Sequence, residues 1–181
     1  HPQTAGPMDS AQLITAFVTL FVVIDPIALV PVFIALTRGM TQDRRRQIAL
    51  RACLVALGLL MLFGLFGDKV LAFIGISMPA FRIAGGILLF LTALDMLFER
   101  RTKRREGQAQ EEHPDDPSVF PMGVPLIAGP GAMATMVLLT GAPGLGWTEI
   151  LAMHLVMAVV VGTTFLCLLG AGLMERAGKR G

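Results

Sequence analysis

The sequence predicts an all-α, polytopic membrane helical bundle with inverted three-helix repeats and discontinuous first and fourth helices. Three observations carry that expectation. Hydrophobic residues make up 54% of the 181-residue chain and charged residues only 15%, where a soluble domain carries nearer a quarter charged. The apolar residues fall in runs long enough to cross a hydrocarbon layer of about 30 Å as helices of about 20 residues. They do not alternate with polar residues as barrel strands do. Two of the runs are interrupted by proline beside aspartate or glycine, at matching places.

Five runs qualify as spans: residues 13–36, 48–67, 79–98, 119–140 and 150–174. The second is broken only by Arg51, the third holds Arg82 and Asp95, the fourth has no charge, and the fifth has His154 near its start. Residues 70–81, VLAFIGISMPAF, are too short to span alone and read as a short outer helix leading into the third run. Trp147 stands beside the fifth run, where an interfacial indole is expected. Cys53 and Cys167 fall inside runs and read as apolar packing residues. Residues 1–7, HPQTAGP, read as an expression remnant before Met8.

The net charge of +2 says little, but its placement does. Basic clusters follow the first run (TRGMTQDRRRQ), the third (ERRTKRRE) and the fifth (ERAGKR). All three lie on one side if odd-numbered runs cross from outside to inside, which puts the N-terminus outside. Positive-inside placement accounts for RRTKRR without a nucleic-acid partner. Residues 8–98 then form a first three-helix repeat and residues 99–118 a polar cytoplasmic loop, mobile from 107 onward by composition. Residues 119–181 form a second repeat missing its third helix. His113, Asp115 and Asp116 in the loop read as solvated, since no second cluster supplies metal ligands.

Proline inside a helix removes a backbone hydrogen bond and costs about 3 kcal/mol. An aspartate at the centre of a span adds about 2.5–3.5 kcal/mol on insertion scales. The first run, with VVIDPIAL, accepts both, and Pro31 besides. Such costs are tolerable where the helix is interrupted and its freed polar groups face protein or a wet cavity. The fourth run, FPMGVPLIAGPGAMAT, repeats the design: Asp25 aligns with Gly129, Pro26 with Pro130 and Ala28 with Ala132, an offset of 104 residues. The two runs cross in opposite directions, as in an inverted repeat, and interrupted helices at corresponding positions point to a transporter's binding site. By the same offset residues 79–98 would recur near 183–202, so a sixth span is expected beyond Gly181.

The segments DPIALVPVF, GISMPAFRIAGGILLF and FPMGVPLIAGPGAMAT resemble the MarC family of bacterial inner-membrane proteins over nearly the whole chain from Met8. The resemblance implies six spans. It also implies kinship with small neutral amino acid transporters and amino acid exporters, under a family name that derives from multiple antibiotic resistance.

The residues suggest how a solute would be held. Pro26 and Pro130 suit the first position of two half-helices, with Asp25 and Gly129 as their N-caps. The second half-helix presents bare amides through Gly129, Pro130, Gly131 and Ala132, a seat for an anion. A small zwitterionic solute near the midplane fits the pair, its carboxylate on those amides and its ammonium toward Asp25. Asp25 as a cap alone is the competing role. Arg82 begins a face continuing through Gly85, Gly86, Leu89 and Ala93. Either it pairs inside the bundle, with gating as a possible role, or it snorkels to the outer interface. Asp95 reads as interfacial, near Glu99. His154 is a candidate proton relay close to the outer end. Thr135, Thr163 and Thr164 read as interhelical hydrogen-bonding residues.

No nucleophile with a placed base, metal-ligand spacing or phosphate loop is present, so neither an enzyme, a cofactor nor ATP-driven transport is expected. A proton or sodium gradient, or facilitation, is left to drive movement. The expected function is a multi-pass membrane transporter or exporter of small neutral amino acids, working by alternating access. A membrane scaffold or sensor, or a channel, is the alternative.

Overall fold

A computed structural model describes residues 8–111 and 116–178, and every regular element among them is helical. Residues 1–7, and His113 with Asp115 in the loop, lie outside the described residues. Helix α1, Ser10–Ile24, starts where the Asp9 carboxylate accepts from the Gln12 N–H at 2.9 Å. It ends at Asp25, which adopts the left-handed conformation (φ 54°, ψ 69°) while its own N–H still donates to Phe21 O at 2.8 Å. That conformation costs an L-residue about 1–2 kcal/mol, and Asp tolerates it because its short side chain bonds locally. The bond here is to the Ala28 N–H at 3.4 Å, which caps helix α2, Pro26–Leu36. Pro26 opens α2, where its missing N–H costs nothing. Pro31 sits within α2 without ending it.

Helix α3, Gln42–Phe73, is capped by Thr41 and at 32 residues is longer than its apolar run. It takes in the basic cluster at one end and residues 70–73 at the other. The outer helix read over 70–81 is therefore not a separate element. Its first residues finish α3, Gly75 (φ 81°) turns the chain, and the Ser77 hydroxyl caps helix α4, Met78–Leu97, through the Ala80 N–H at 3.3 Å.

The polar segment after α4, expected to be a loop and mobile from residue 107, is helical as far as residue 111. Glu99 (φ 58°) turns the chain into helix α5, Arg100–Glu111, which packs against α2 and α4. Next comes a wound segment, Ser118–Ile127, with wide turns closed by Met122 N–H to Pro117 O (3.1 Å) and Ala128 N–H to Gly123 O (2.9 Å). It straightens at Phe120 and Val124, where φ and ψ are extended. Helix α6, Pro130–Thr140, follows an extended Gly129, and helix α7, Trp147–Gly178, completes the described chain.

The fourth run is thus not a continuous helix. Among the described residues four helical stretches are long and apolar enough to cross a membrane: Ser10–Leu36 (α1 with α2), Gln42–Phe73, Met78–Leu97 and Trp147–Gly178. The wound segment and α6 together follow α3 along its length. An added Cβ at Gly123 would stand 3.2 Å from Ala52 O, and one at Gly67 would stand 2.6 Å from the Val137 side chain. Helix α3 is central, with the wound segment, α6 and α7 around it, and α7 also covers α1 and α2. Leu20, Phe33, Leu60, Met122 and Met157 are among the fully buried side chains between these elements. Cys53 is buried and Cys167 half-buried, neither in a disulfide. In lipid such a bundle is held by close packing and hydrogen bonds rather than by escape from water.

Two of the basic clusters meet at one end of the bundle, where Arg45 pairs with Glu175 and donates through Nε to Thr37 O at 3.2 Å. Nearby, Asp116 accepts from the Ser118 hydroxyl (2.6 Å) and N–H (3.0 Å) and faces Arg51 at 3.1 Å. The Ser118 hydrogen bonds, with help from Arg44 and Arg51, hold its carboxyl below the usual 3.8. The folded protein therefore binds this proton less readily than the unfolded chain. The resulting stability is present above the usual carboxylate pKa and is lost as pH falls through the depressed value. Asp116→Asn is expected to lower the unfolding midpoint in detergent at pH 7, with the difference from wild type shrinking below about pH 4. A difference that persists unchanged at pH 3 would show that the charge is not what matters there.

Candidate functional site

The two interrupted helices meet through an element that the sequence reading left in solution. Arg105 on α5 donates through Nη2 to Ile24 O at 3.0 Å and to Leu126 O at 3.5 Å. One nitrogen touches both carbonyls, so the end of α1 and the end of the wound segment are neighbours. Arg101, one turn earlier, donates to Val23 O and through Nη1 to Met96 Sδ at 3.2 Å. The last carbonyls of a helix have no partner within it and carry partial negative charge. Two breaks at one depth leave two such sets, and the arginines answer them.

Beside this junction lies a cavity of about 160 Å³. Gly129, Pro130, Gly131 and Ala132 line it from α6, Leu88, Thr92 and Asp95 from α4, and Arg101, Arg104 and Arg105 from α5. A cavity of about 150 Å³ holds one benzene, so a solute the size of glycine or alanine fits. Gly129 gives α6 no side-chain cap, which leaves the Gly131 and Ala132 N–H groups for whatever enters. Arg104 is bound to Asp95 at 2.8 Å.

The structure brings together some of the residues singled out from sequence and not others. Gly129, Pro130, Gly131, Ala132 and Asp95 share the cavity. Asp95 lines the cavity, its carboxylate paired with Arg104 of α5. Asp25 and Pro26 do not line the cavity, although the Asp25 charge acts on both Arg101 and Arg105. Arg82 lies at the other end of α4, exposed, donating to Gly141 O at 3.2 Å. Gly85 is buried against Leu138 of α6, whereas Gly86 faces open space. His154 is buried against Gly64 of α3, its Nδ1 at 2.8 Å from Ile150 O. Thr135 and Thr164 return their hydroxyls to the carbonyls one turn back in their own helices, not to a neighbour; Thr163 does the same.

Thr92, Arg101, Arg104 and Arg105 are the site residues that the sequence reading passed over. A signal for the arginines exists. Arg101 and Arg105 are four apart, on one face of any helix through them, and two broken helices need donors for their freed carbonyls.

Helices broken at mid-span, with the loose ends answered by protein groups, define an integral membrane protein of the discontinuous-helix class. The comparisons agree at the level of family. A family model described as MarC family integral membrane protein matches residues 10–181, and the chain belongs to that family. Its relatives include the UPF0056 membrane protein MJ1677 of Methanocaldococcus jannaschii, 38% identical over 179 residues, covering 96% of this chain and 86% of the relative. The UPF0056 inner membrane protein YhgN of Escherichia coli is 34% identical over 173 residues, covering 94% of this chain and 84% of the relative. No solved structure matches the chain.

Proposed function

We propose that this protein carries small neutral amino acids across an inner membrane by alternating access around the cavity at the helix breaks. The observation that supports it most is the sharing of one cavity by the uncapped start of α6 and the junction of the two broken helices. In that reading the solute carboxylate takes the place of a capping side chain on α6. The ammonium is drawn by Asp25 and by the carbonyl ends of α1 and the wound segment. Solute binding then alters the balance of charge between the repeats, which is what a carrier needs in order to couple occupancy to rearrangement. The N-terminus lies outside in this scheme, and α5 closes the cavity from the cytoplasmic, basic end.

The test is counterflow. Proteoliposomes preloaded with unlabelled alanine are expected to accumulate labelled alanine transiently, with saturation in external concentration. Uptake that rises linearly without counterflow would indicate a channel. No uptake above empty liposomes, for glycine, alanine and serine alike, would favour a scaffold or sensor.

A further inference from the structure

Two voids meet beside the start of α6. One is the cavity of about 160 Å³ at the helix breaks. The other, of about 310 Å³, lies between α1 and α4, with Val18, Val22, Leu89 and Met96 among its walls. Val18 and Val22 are about half exposed, so this second void is an apolar cleft in the lipid-facing surface. Val23 and Thr92 line both voids. They stand between a site with charged walls and a cleft with hardly any polar group.

The wall they make is one side chain thick, and both side chains are held. A Cβ added at Gly131 of α6 would stand 3.2 Å from Val23 Cγ1 and 3.9 Å from Thr92 Oγ1 and Leu89 Cδ2, so the start of α6 sits directly against the wall. Val23 is buried in the last turn of α1, its carbonyl bound by Arg101. The Thr92 hydroxyl donates to Leu88 O at 2.9 Å within its own helix, so Thr92 meets the voids with its bulk rather than as a free donor. Both residues are β-branched and restricted at χ1. Size then decides what the wall does. A cavity of about 150 Å³ takes one benzene. Alanine has as many heavy atoms as benzene, and leucine has half as many again. Alanine fills the cavity; a longer apolar side chain needs the space behind Val23 and Thr92.

We infer that Val23 and Thr92 are specificity-determining residues: they close the cavity off from the α1–α4 cleft and so set the largest side chain that the site accepts. The wall stands on this geometry; that what it measures is an amino acid side chain rests on the transport reading above. Thinning the wall joins the two voids, and the cleft then becomes a seat for aliphatic side chains that the cavity alone rejects.

The experiment measures displacement of labelled alanine from the purified full chain in lipid nanodiscs by glycine, alanine, valine and leucine. In wild type, leucine is expected to require a concentration at least about tenfold above that of alanine, the least that one excess methylene is worth at a filled pocket. Val23→Ala is expected to lower this leucine-to-alanine ratio by at least about tenfold, and Thr92→Ala to lower it too. Thr19→Ala is the control, since Thr19 lines the cleft and not the cavity. Circular dichroism and monodispersity establish that each variant is folded. Thr92→Ala, on a helix with little buried surface, decides the matter if Val23→Ala does not fold. A ratio unmoved in the folded variants, or moved equally by Thr19→Ala, overturns the inference. So does a wild type that takes leucine as readily as alanine. A second readout needs no amino acid. Cys53→Ala and Cys167→Ala remove the native thiols, and Ala132→Cys places one in the cavity. A maleimide carried on a phospholipid acyl chain is expected to label it at least tenfold faster when Val23→Ala is added; equal rates overturn the wall. If labelling accelerates but no amino acid binds or is transported, the wall stands and the transport reading falls. If alanine counterflow is present and the ratio does not move, the reverse holds.

Discussion

Asp25→Asn is expected to reduce alanine counterflow below a tenth of wild type while leaving the bundle folded. The substitution separates two roles that the structure superimposes on one residue. Asparagine is as good an N-cap as aspartate and also tolerates the left-handed conformation, so the bond to the Ala28 N–H and the turn at φ 54° are retained. What disappears is the charge, which acts on Arg101 and Arg105 and, in the proposed mechanism, on the solute ammonium. Arg105 then loses the Asp25 charge, while Arg101 keeps that of Asp95. Asp25→Ala provides the contrast, because it loses the cap as well and should also cost about 1 kcal/mol of stability. Wild-type counterflow by the asparagine variant would reduce Asp25 to a cap.

Gly67→Ala is expected to destabilise the bundle by about 1–3 kcal/mol, the usual range for overpacking. The effect should appear as a lower unfolding midpoint in detergent. An added Cβ there would meet the Val137 side chain at 2.6, 3.2 and 3.4 Å. Val137 is buried and β-branched, so it has little rotameric freedom with which to yield. Helix α6 must then back away from α3, taking the start of the cavity wall with it. Val137→Ala in the same chain makes room and should restore most of the loss. Gly58→Ala on α3 is the control, since nothing lies within 4 Å of its added Cβ; helix propensity alone favours it by up to about 1 kcal/mol. If Gly67→Ala matches Gly58→Ala, the seam is looser than its distances say.

The helix breaks were legible because their signals are local. Proline at a first helical position, next to a residue able to cap, marks an interruption whatever surrounds it, and Asp25–Pro26 and Gly129–Pro130 both behave so. The form of the breaks and the ends of the helices were harder to read. Residues 119–140 are apolar enough to span, but Pro121 and Pro125 forbid a regular helix, and the backbone takes wide turns against α3 instead. Similarly, α3 continues past its apolar run because nothing between Asp68 and Phe73 breaks a helix. The role of α5 was only half legible, for a deeper reason. ERRTKRRE is a solvated segment by composition, and only the freed carbonyls of two distant helices give its arginines a reason to turn inward. That reason is tertiary. The pairing of Asp95 was hidden for the same reason, since its partner Arg104 belongs to α5.

Helix α4 shows a further consequence. Gly85 is its one buried residue among those described, and its neighbours are α5 and α6, yet it supplies Leu88, Thr92 and Asp95 to the cavity. One wall of the pocket is thus little buried by the rest of the bundle, held at one end by Arg82 on Gly141 O and at the other by Asp95 on Arg104. Parting those two contacts would disturb little of the buried core, so they are where an opening of the pocket would be felt first.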